Sequence, residues 1–462
     1  MNRRTFGVMA FAFAVTIPWI AIWTAANVLP MLGEFLPVLG TEPLVTPEDF
    51  STGTVVAVSG LSVLGASFLL AWGAETAEKD VPRAFAIAVL AILAVAPEYA
   101  VDALYAFNAG AFVGTDRGVE AGNLAVANMT GANRILIGIG WSGIAVFSIV
   151  RYYVGGPDPA IEERDGFLAN VVTLDRDLSL EIVFLFAATV WAFMVPLNDA
   201  IDVLDMLILV GIYVAYILIV LRGPIDPEEE HVGVPAYLQQ FPRPKRVATV
   251  LFLFAYSGLM IFTAVEPFAH GLEDVGKNIG VPAFFMIQWV APLASESPEL
   301  IVVVYLVNKA RTTAGFNALI SSKLNQWTLL IGTLVVVYSI GLGRYGALPF
   351  DATQSAEIWL TAAQSMFALS ILVNFEISIR EAAVLLVLFC SQVLLEFMII
   401  RDLIVSPVTK YESLLIFTGI YIVLAVVLFA VRRRALRSLL DRTAGVIRAA
   451  VSTADEHPGS AD

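Results

Sequence analysis

Two dipeptides, Pro97-Glu98 and Pro298-Glu299, place a carboxylate beside a proline inside a long apolar segment. A proline within a helix removes one backbone hydrogen bond and frees a carbonyl. Beside a carboxylate at membrane depth, that carbonyl makes an oxygen-rich break suited to a hard cation. Proline kinks also serve packing alone, so the weight lies on there being two, in matched surroundings. Asp102 follows Glu98 by one helical turn. Glu296 precedes Glu299 by three residues, on nearly the same helix face, with Ser295 and Ser297 on either side. Carboxylates gathered in low dielectric repel one another, and such a group can exchange a proton for a metal ion.

Each Pro-Glu is followed, on the next apolar segment, by a hydroxyl and then an asparagine three residues later. Thr130 and Asn133 follow the first; Ser322 and Asn325 follow the second. Arg134 and Gln326 stand next to the asparagines, and Gly140 matches Gly332. Polar side chains of this kind line a site or hold helices together; their repetition favours a site. Arg134 and Lys323 are basic residues inside apolar segments, where each needs a partner or a water-filled cavity. They are the available counter-charges. Arg134 either tunes the site or pairs with Glu98 as a structural bridge. Glu181, Asp202, Asp205 and Glu396 fall outside the repeated stretches, and Asp199, Asp202 and Asp205 suit the positive start of a helix.

The elements that carry these residues are set by composition. The chain has 462 residues, 58% of them apolar and only 15% charged. Its mean hydropathy is +0.80. About twelve apolar runs are each long enough to cross a bilayer core of roughly 30 Å. They cover 7–28, 53–74, 84–108, 121–150, 178–196, 199–221, 247–266, 280–308, 314–343, 355–374, 380–401 and 411–432. Unbroken runs of this length are helices rather than barrel strands, so the fold is all-α, a polytopic membrane protein in a lipid bilayer. The net charge of −14 comes from acids in loops and tail, such as Glu42, Glu48, Asp49 and Glu228 to Glu230. That acidity suits a salt-adapted surface and gives no basic domain for nucleic acid. Cys390 is alone, which excludes an internal disulfide and a cysteine metal site. His231, His270 and His457 lie in loops or the tail, and no enzyme motif stands in the right context, so no catalytic residue is expected.

Twenty of the 27 Lys and Arg fall in loops assigned to one side, five on the other, and Arg134 and Lys323 remain within spans. The positive-inside rule then puts both termini in the cytoplasm, across the plasma membrane. The start of the chain has the charge pattern of a signal peptide, but Thr16 to Trp23 stay apolar too far and read as a first span. After Arg432, the residues Leu436, Leu439, Leu440 and Ile447 alternate with arginines as in a basic amphipathic surface helix.

The first Pro-Glu is on the third span and the second is on the eighth. An offset of five, an odd number, turns the two copies opposite ways across the membrane, as in many secondary transporters. The expected layout is an extra span and acidic loop (1–52), a first five-helix repeat (53–221), a linker (222–246), a second repeat (247–401), a last extra span (402–432) and the basic tail (433–462).

With those motifs in hand, the chain resembles the sodium/calcium exchanger family within the calcium/cation antiporter superfamily. The resemblance rests on Ala294-Ser295-Glu296-Ser297-Pro298-Glu299 and Leu93-Ala94-Val95-Ala96-Pro97-Glu98. It extends to Ser321-Ser322-Lys323-Leu324-Asn325-Gln326 and, less well, Met129-Thr130-Gly131-Ala132-Asn133-Arg134. It implies ten core helices and a cation bound at mid-membrane by Glu98, Glu299, hydroxyls and amides, moved by alternating access. The candidate ligands are Glu98, Glu296, Glu299, Ser295, Thr130, Ser322, Asn133, Asn325 and Gln326; Arg134, Lys323 and Asp102 would tune the charge. No cofactor is implied beyond the transported cations, Ca2+, Na+ or H+. The first repeat departs from the family pattern with Ala94 and Val95 where hydroxyls are usual, and Glu296 stands in a serine position. Three glutamates less Arg134 still leave a net charge of about −2, enough to hold a cation. The expected function is cation antiport, with calcium/sodium exchange and sodium/proton exchange both open. A channel and a non-transporting membrane protein are the readings of another class.

Overall fold

The computed structural model describes residues 3–33, 41–80, 96–222, 233–404 and 408–455. Leu93, Ala94, Val95 and the rest of the third span before Ala96 lie outside the described residues, as do Glu228 to Glu230, His231 and His457.

Apolar runs with no water to serve their peptide groups close their hydrogen bonds internally, as helices. These are α1 (Thr5–Met31), α2 (Thr52–Ala77), α3 (Ala96–Ala111), α4 (Asp116–Gly155), α5 (Arg176–Asn198), α6 (Val203–Arg222), α7 (Arg243–Ile279), α8 (Ala291–Asn308), α9 (Thr312–Leu342), α10 (Ala352–Leu372), α11 (Ile379–Ile400), α12 (Lys410–Val431) and α13 (Arg433–Asp455). Side chains cap several starts. Ser51 accepts from Thr54 N–H, Asp351 accepts from Gln354 N–H, and Ser378 with Glu381 and Thr409 with Glu412 form reciprocal boxes.

The architecture is the polytopic all-α one that the apolar runs demand. Among the described residues nine helices are long and apolar enough to span a membrane, ten if Ala283–Ser297 and Glu299–Asn308 make one span. The expected twelve falls to this number for two reasons. Part of the third run is outside the described residues. The tenth, α10, is long enough but is made too polar by Gln354, Glu357, Thr361 and Gln364, all of which are buried.

The chain divides into two compact units. The first comprises Met1–Leu104 and Asp226–Pro298. Its backbone is α2 packed along α7, one helix from each repeat. Leu69, Trp72 and Leu253 form their core with Val234 and Leu238 of a short helix, Gly233–Leu238, and Ala12 of α1. Trp19 Nε1 donates to Thr263 Oγ1 at 3.1 Å. Beyond the end of α2, Arg246 grips Asp80 through two nitrogens, at 2.6 and 2.5 Å, and also donates to the carbonyls of Gln239 and Phe241.

The second unit comprises Tyr105–Ile225 and Glu299–Asp462. It holds α4, α5 and α6 from the first repeat and α9, α10 and α11 from the second. Here α6 packs on α9, α11 on α4, and α10 on α5, α4 and α12. Two small antiparallel sheets tie loops of one repeat to loops of the other. In the first, β1 (Ile161–Glu162) pairs with β2 (Val171–Thr173), which pairs with β5 (Glu376–Ser378) in the register Val172 opposite Ile377. In the second, β3 (Ala200–Ile201) pairs with β4 (Leu348–Pro349). The repeat maps the α4–α5 loop onto the α9–α10 loop, and the α5–α6 loop onto the α10–α11 loop. It therefore maps the pair β2–β5 onto the pair β4–β3. The same connection is made twice with the repeats exchanged, as a two-fold relation between the repeats requires.

Two further details recur. In α4 the helix widens to π geometry at Leu136–Trp141, and in α9 at Gln326–Leu330. Each widened turn directly follows the hydroxyl and asparagine of its repeat, and such turns gather at functional sites. The backbones of α3 and α9 also touch. A Cβ on Gly110 would stand 2.2 Å from the Tyr338 carbonyl oxygen, and one on Gly341 would stand 2.3 Å from that of Phe107. The tail is a helix, as expected. Leu439 is buried, Thr443 Oγ1 donates to the Ser179 carbonyl at 3.0 Å, and α13 rests on α5 and α6.

Candidate cation-binding site

The expected ligands divide between the two units. Glu98, Asp102, Ser295 and Glu296 belong to the first; Glu299, Thr130, Asn133, Arg134, Ser322, Lys323, Asn325 and Gln326 belong to the second.

In the first unit Glu98 and Asp102 are buried, one turn apart near the start of α3. Ser295 and Glu296 are buried in α8, and Ser295 Oγ lies 3.3 Å from the Pro292 carbonyl that it bonds. Carboxylates are seldom buried without a purpose or a partner, because desolvation penalises the charge.

In the second unit the two matched elements of the second repeat come together. Ser322 Oγ, on α9, donates to Glu299 Oε2, on α8, at 2.9 Å. The hydroxyl therefore orients the carboxylate beside the proline break. Thr130, the counterpart of Ser322, bonds the carbonyls of Val126 and Ala127 in its own helix. Asn133 Nδ2 donates to the Met129 carbonyl at 2.8 Å, which turns Oδ1 away from its own helix. That oxygen accepts from Lys323 Nζ at 2.7 Å, and the Asn133 carbonyl accepts from the same ammonium at 3.3 Å. Asn325 and Gln326 are buried directly before and within the widened turn of α9.

Arg134 is bound elsewhere in the same unit. Its Nη1 donates to Glu357 Oε2 at 2.6 Å, and its Nη2 donates to Gln392. Gln392 Nε2 donates to Glu396 Oε2 at 2.9 Å. Lys410 closes the circuit, 3.0 Å from Glu396 and 3.5 Å from Glu357. Five side chains from α4, α10, α11 and the start of α12 thus form a ring with two positive and two negative charges. Glu357 and Glu396 are fully buried, so the ring must be self-neutral to be tolerated. The partner that the structure gives Arg134 is thus a glutamate outside both repeated stretches.

Sequence reasoning passed over Glu357, Gln364 and Gln392, and placed Lys410 in a loop. A signal was present. Gln354, Glu357, Thr361 and Gln364 recur at intervals of three, four and three, one polar stripe on an otherwise apolar span. The acids Asp202 and Asp205 act as expected for a helix start: Asp202 Oδ1 accepts from Leu204 N–H at 2.7 Å and from Asp205 N–H at 3.1 Å. Among the described residues no three or more His, Cys, Asp or Glu side chains gather as a preformed metal cage. The candidate set instead combines single carboxylates with hydroxyl, amide and carbonyl oxygens, the donors a hard cation takes.

The family model described as sodium/calcium exchanger protein matches residues 50–222 and 249–430, both repeats. Among solved structures, the chain is similar to one described as the H+/Ca2+ exchanger CAX. The two are 38% identical over 97% of this chain and 99% of that one, with a TM-score of 0.78. It also shares its fold with native YfkE, at 14% identity over 86% of this chain and 100% of the other, with a TM-score of 0.53. No curated protein sequence matches. Matched in both halves and built of the apolar helices that such a transporter needs, this chain belongs to the sodium/calcium exchanger protein family and is a multi-pass secondary cation antiporter.

Proposed function

We propose that this antiporter moves Ca2+ in exchange for protons by alternating access, with Glu98, Glu296 and Ser295 as cation ligands in the first unit, Glu299, Ser322, Thr130, Asn325 and Gln326 as ligands in the second, and Asn133 as an amide beside the latter. The likeness to an H+/Ca2+ exchanger over nearly the whole of both chains carries this reading. The donor set supports it. Carboxylate, hydroxyl and amide oxygens suit Ca2+, and carboxylates can release that ion by taking up protons. Protons need no separate oxygen cage, unlike sodium. Asp102 would add negative charge near Glu98. Arg134, held in its ring by Glu357, would act on the helix framework rather than on the ion. The two repeats would be the extent of the transport unit, with the first and last spans and the tail as additions. We place the chain in the plasma membrane with both termini cytoplasmic, on the basic-residue asymmetry. It works as a transporter and not as an enzyme, with no cofactor besides its cargo.

The test uses purified protein in liposomes. An inside-acid pH gradient drives uptake of radioactive calcium in the wild type. Glu299→Gln and Glu98→Gln bring uptake down to the level of empty vesicles. Calcium uptake that ignores the pH gradient and follows a sodium gradient would replace protons by sodium as the counter-ion. No uptake under either gradient would remove calcium as cargo.

A further inference from the structure

Lys323 is fully buried, yet its ammonium is well served. Asn133 Oδ1 and the Asn133 carbonyl accept from it at 2.7 and 3.3 Å, and the Trp327 ring face lies 4.2 Å from it. Carbonyl and amide oxygens and an indole face are contacts that a desolvated monovalent cation accepts. Asn133 is one of the two amides at matched repeat positions. Its own side-chain nitrogen is fixed by the Met129 carbonyl, so the oxygen is committed to the cation. In repeat terms Lys323 stands where the first half has Gly131, a residue with no side chain to send toward Asn325. Asn133 of the pair therefore has an ammonium supplied by the opposite repeat. The second internal basic residue does not share this task, since Arg134 is neutralised in the ring with Glu357.

We propose that Lys323 is a tethered monovalent cation that occupies the Asn133 position, and that it determines counter-ion specificity by keeping sodium out. This rests on the reading of Asn133 as part of the ion site. Because the ammonium is covalently held, no concentration of sodium displaces it by mass action from bulk solution. Exchange then proceeds with protons on the carboxylates while the amide stays filled.

The experiment measures the initial rate of calcium uptake into proteoliposomes under a fixed pH gradient, with sodium or with choline as the bulk cation. The wild type is expected to run equally fast in both. Lys323→Ala exposes the Asn133 amide and is expected to slow severalfold in sodium, in a saturable way, and to recover in choline. Lys323→Arg keeps a charge at the position and stays indifferent to sodium. A wild type that sodium inhibits saturably overturns the proposal, as does a Lys323→Ala protein that carries calcium and ignores sodium. Should the alanine variant fail to fold, the thermal stability of the detergent-solubilised wild type decides. Saturable stabilisation by sodium over choline overturns the proposal, and its absence supports it. A wild type that moves no calcium in either salt counts against calcium/proton exchange instead, and the same sodium titration then settles the role of Lys323.

Discussion

Two basic side chains inside the membrane-spanning part are held by different contacts. Lys323 donates to the Asn133 oxygens and lies against an aromatic face, whereas Arg134 pairs with a buried carboxylate. The difference predicts different sensitivities. Glu357→Gln leaves Arg134 and Lys410 with Glu396 alone, and a buried pair broken on one side loses about 3–5 kcal/mol. Thermal unfolding in detergent should show that loss, and the paired change Arg134→Met with Glu357→Leu should recover part of it, because Lys410 and Glu396 then balance. A third charge lies outside the spans. The Arg246 guanidinium hydrogen-bonds Asp80 and holds its carboxyl below the ordinary value of 3.8, aided by the charges of Arg246, Arg243 and Lys79 against the cost of burial. A carboxyl lowered in the folded state stabilises fully above its unfolded value, and that contribution fades as the pH falls through the folded one. The melting temperature of the wild type should therefore be flat in this respect near neutrality and drop in acid below about pH 4. Asp80→Asn should be less stable near neutrality, and the gap to wild type should close in acid.

At the scale of elements, the contact of α3 with α9 is set by glycine. A methyl group at Gly341 would sit 2.3 Å from a carbonyl oxygen of α3, and backbone cannot give way as a side chain can. Gly341→Ala should cost about 1–3 kcal/mol by forcing the helices apart, measurable as a lower melting temperature; Gly343→Ala, at a left-handed residue with open space around it, tests strain without that clash. The helices themselves were legible in the sequence, because a membrane leaves an apolar run almost no alternative. Ser322 and Glu299 were legible as a pair through the repeat alone. The limits are as instructive. The stripe on α10 was hidden because hydropathy averages over a face, and Glu357 reads as an interruption until its partner on α4 is known. The partner of Arg134 lies 223 residues away, which no local pattern encodes. The widened turns of α4 and α9 depend on one extra residue accommodated by packing, for which Leu136–Trp141 carries no composition signal.

For the whole molecule, inversion has a direct test. The α4–α5 loop and the α9–α10 loop correspond under the repeat and should face opposite sides of the membrane. Asp165→Cys and Arg344→Cys, each introduced singly with Cys390→Ala, should react with a membrane-impermeant thiol reagent from opposite sides. Labelling of both from one side would remove the inverted arrangement. The paired strands add something about time. The partner of Val171–Thr173 is Glu376–Ser378, roughly 200 residues further along the chain. A ribosome adding about 5–20 residues per second reaches it on the order of 10–40 s later. Through that interval the first half stands in the bilayer with the ends of its loops unjoined. Its final form waits on the second half being made, so the order of the repeats along the chain also schedules when the first is finished.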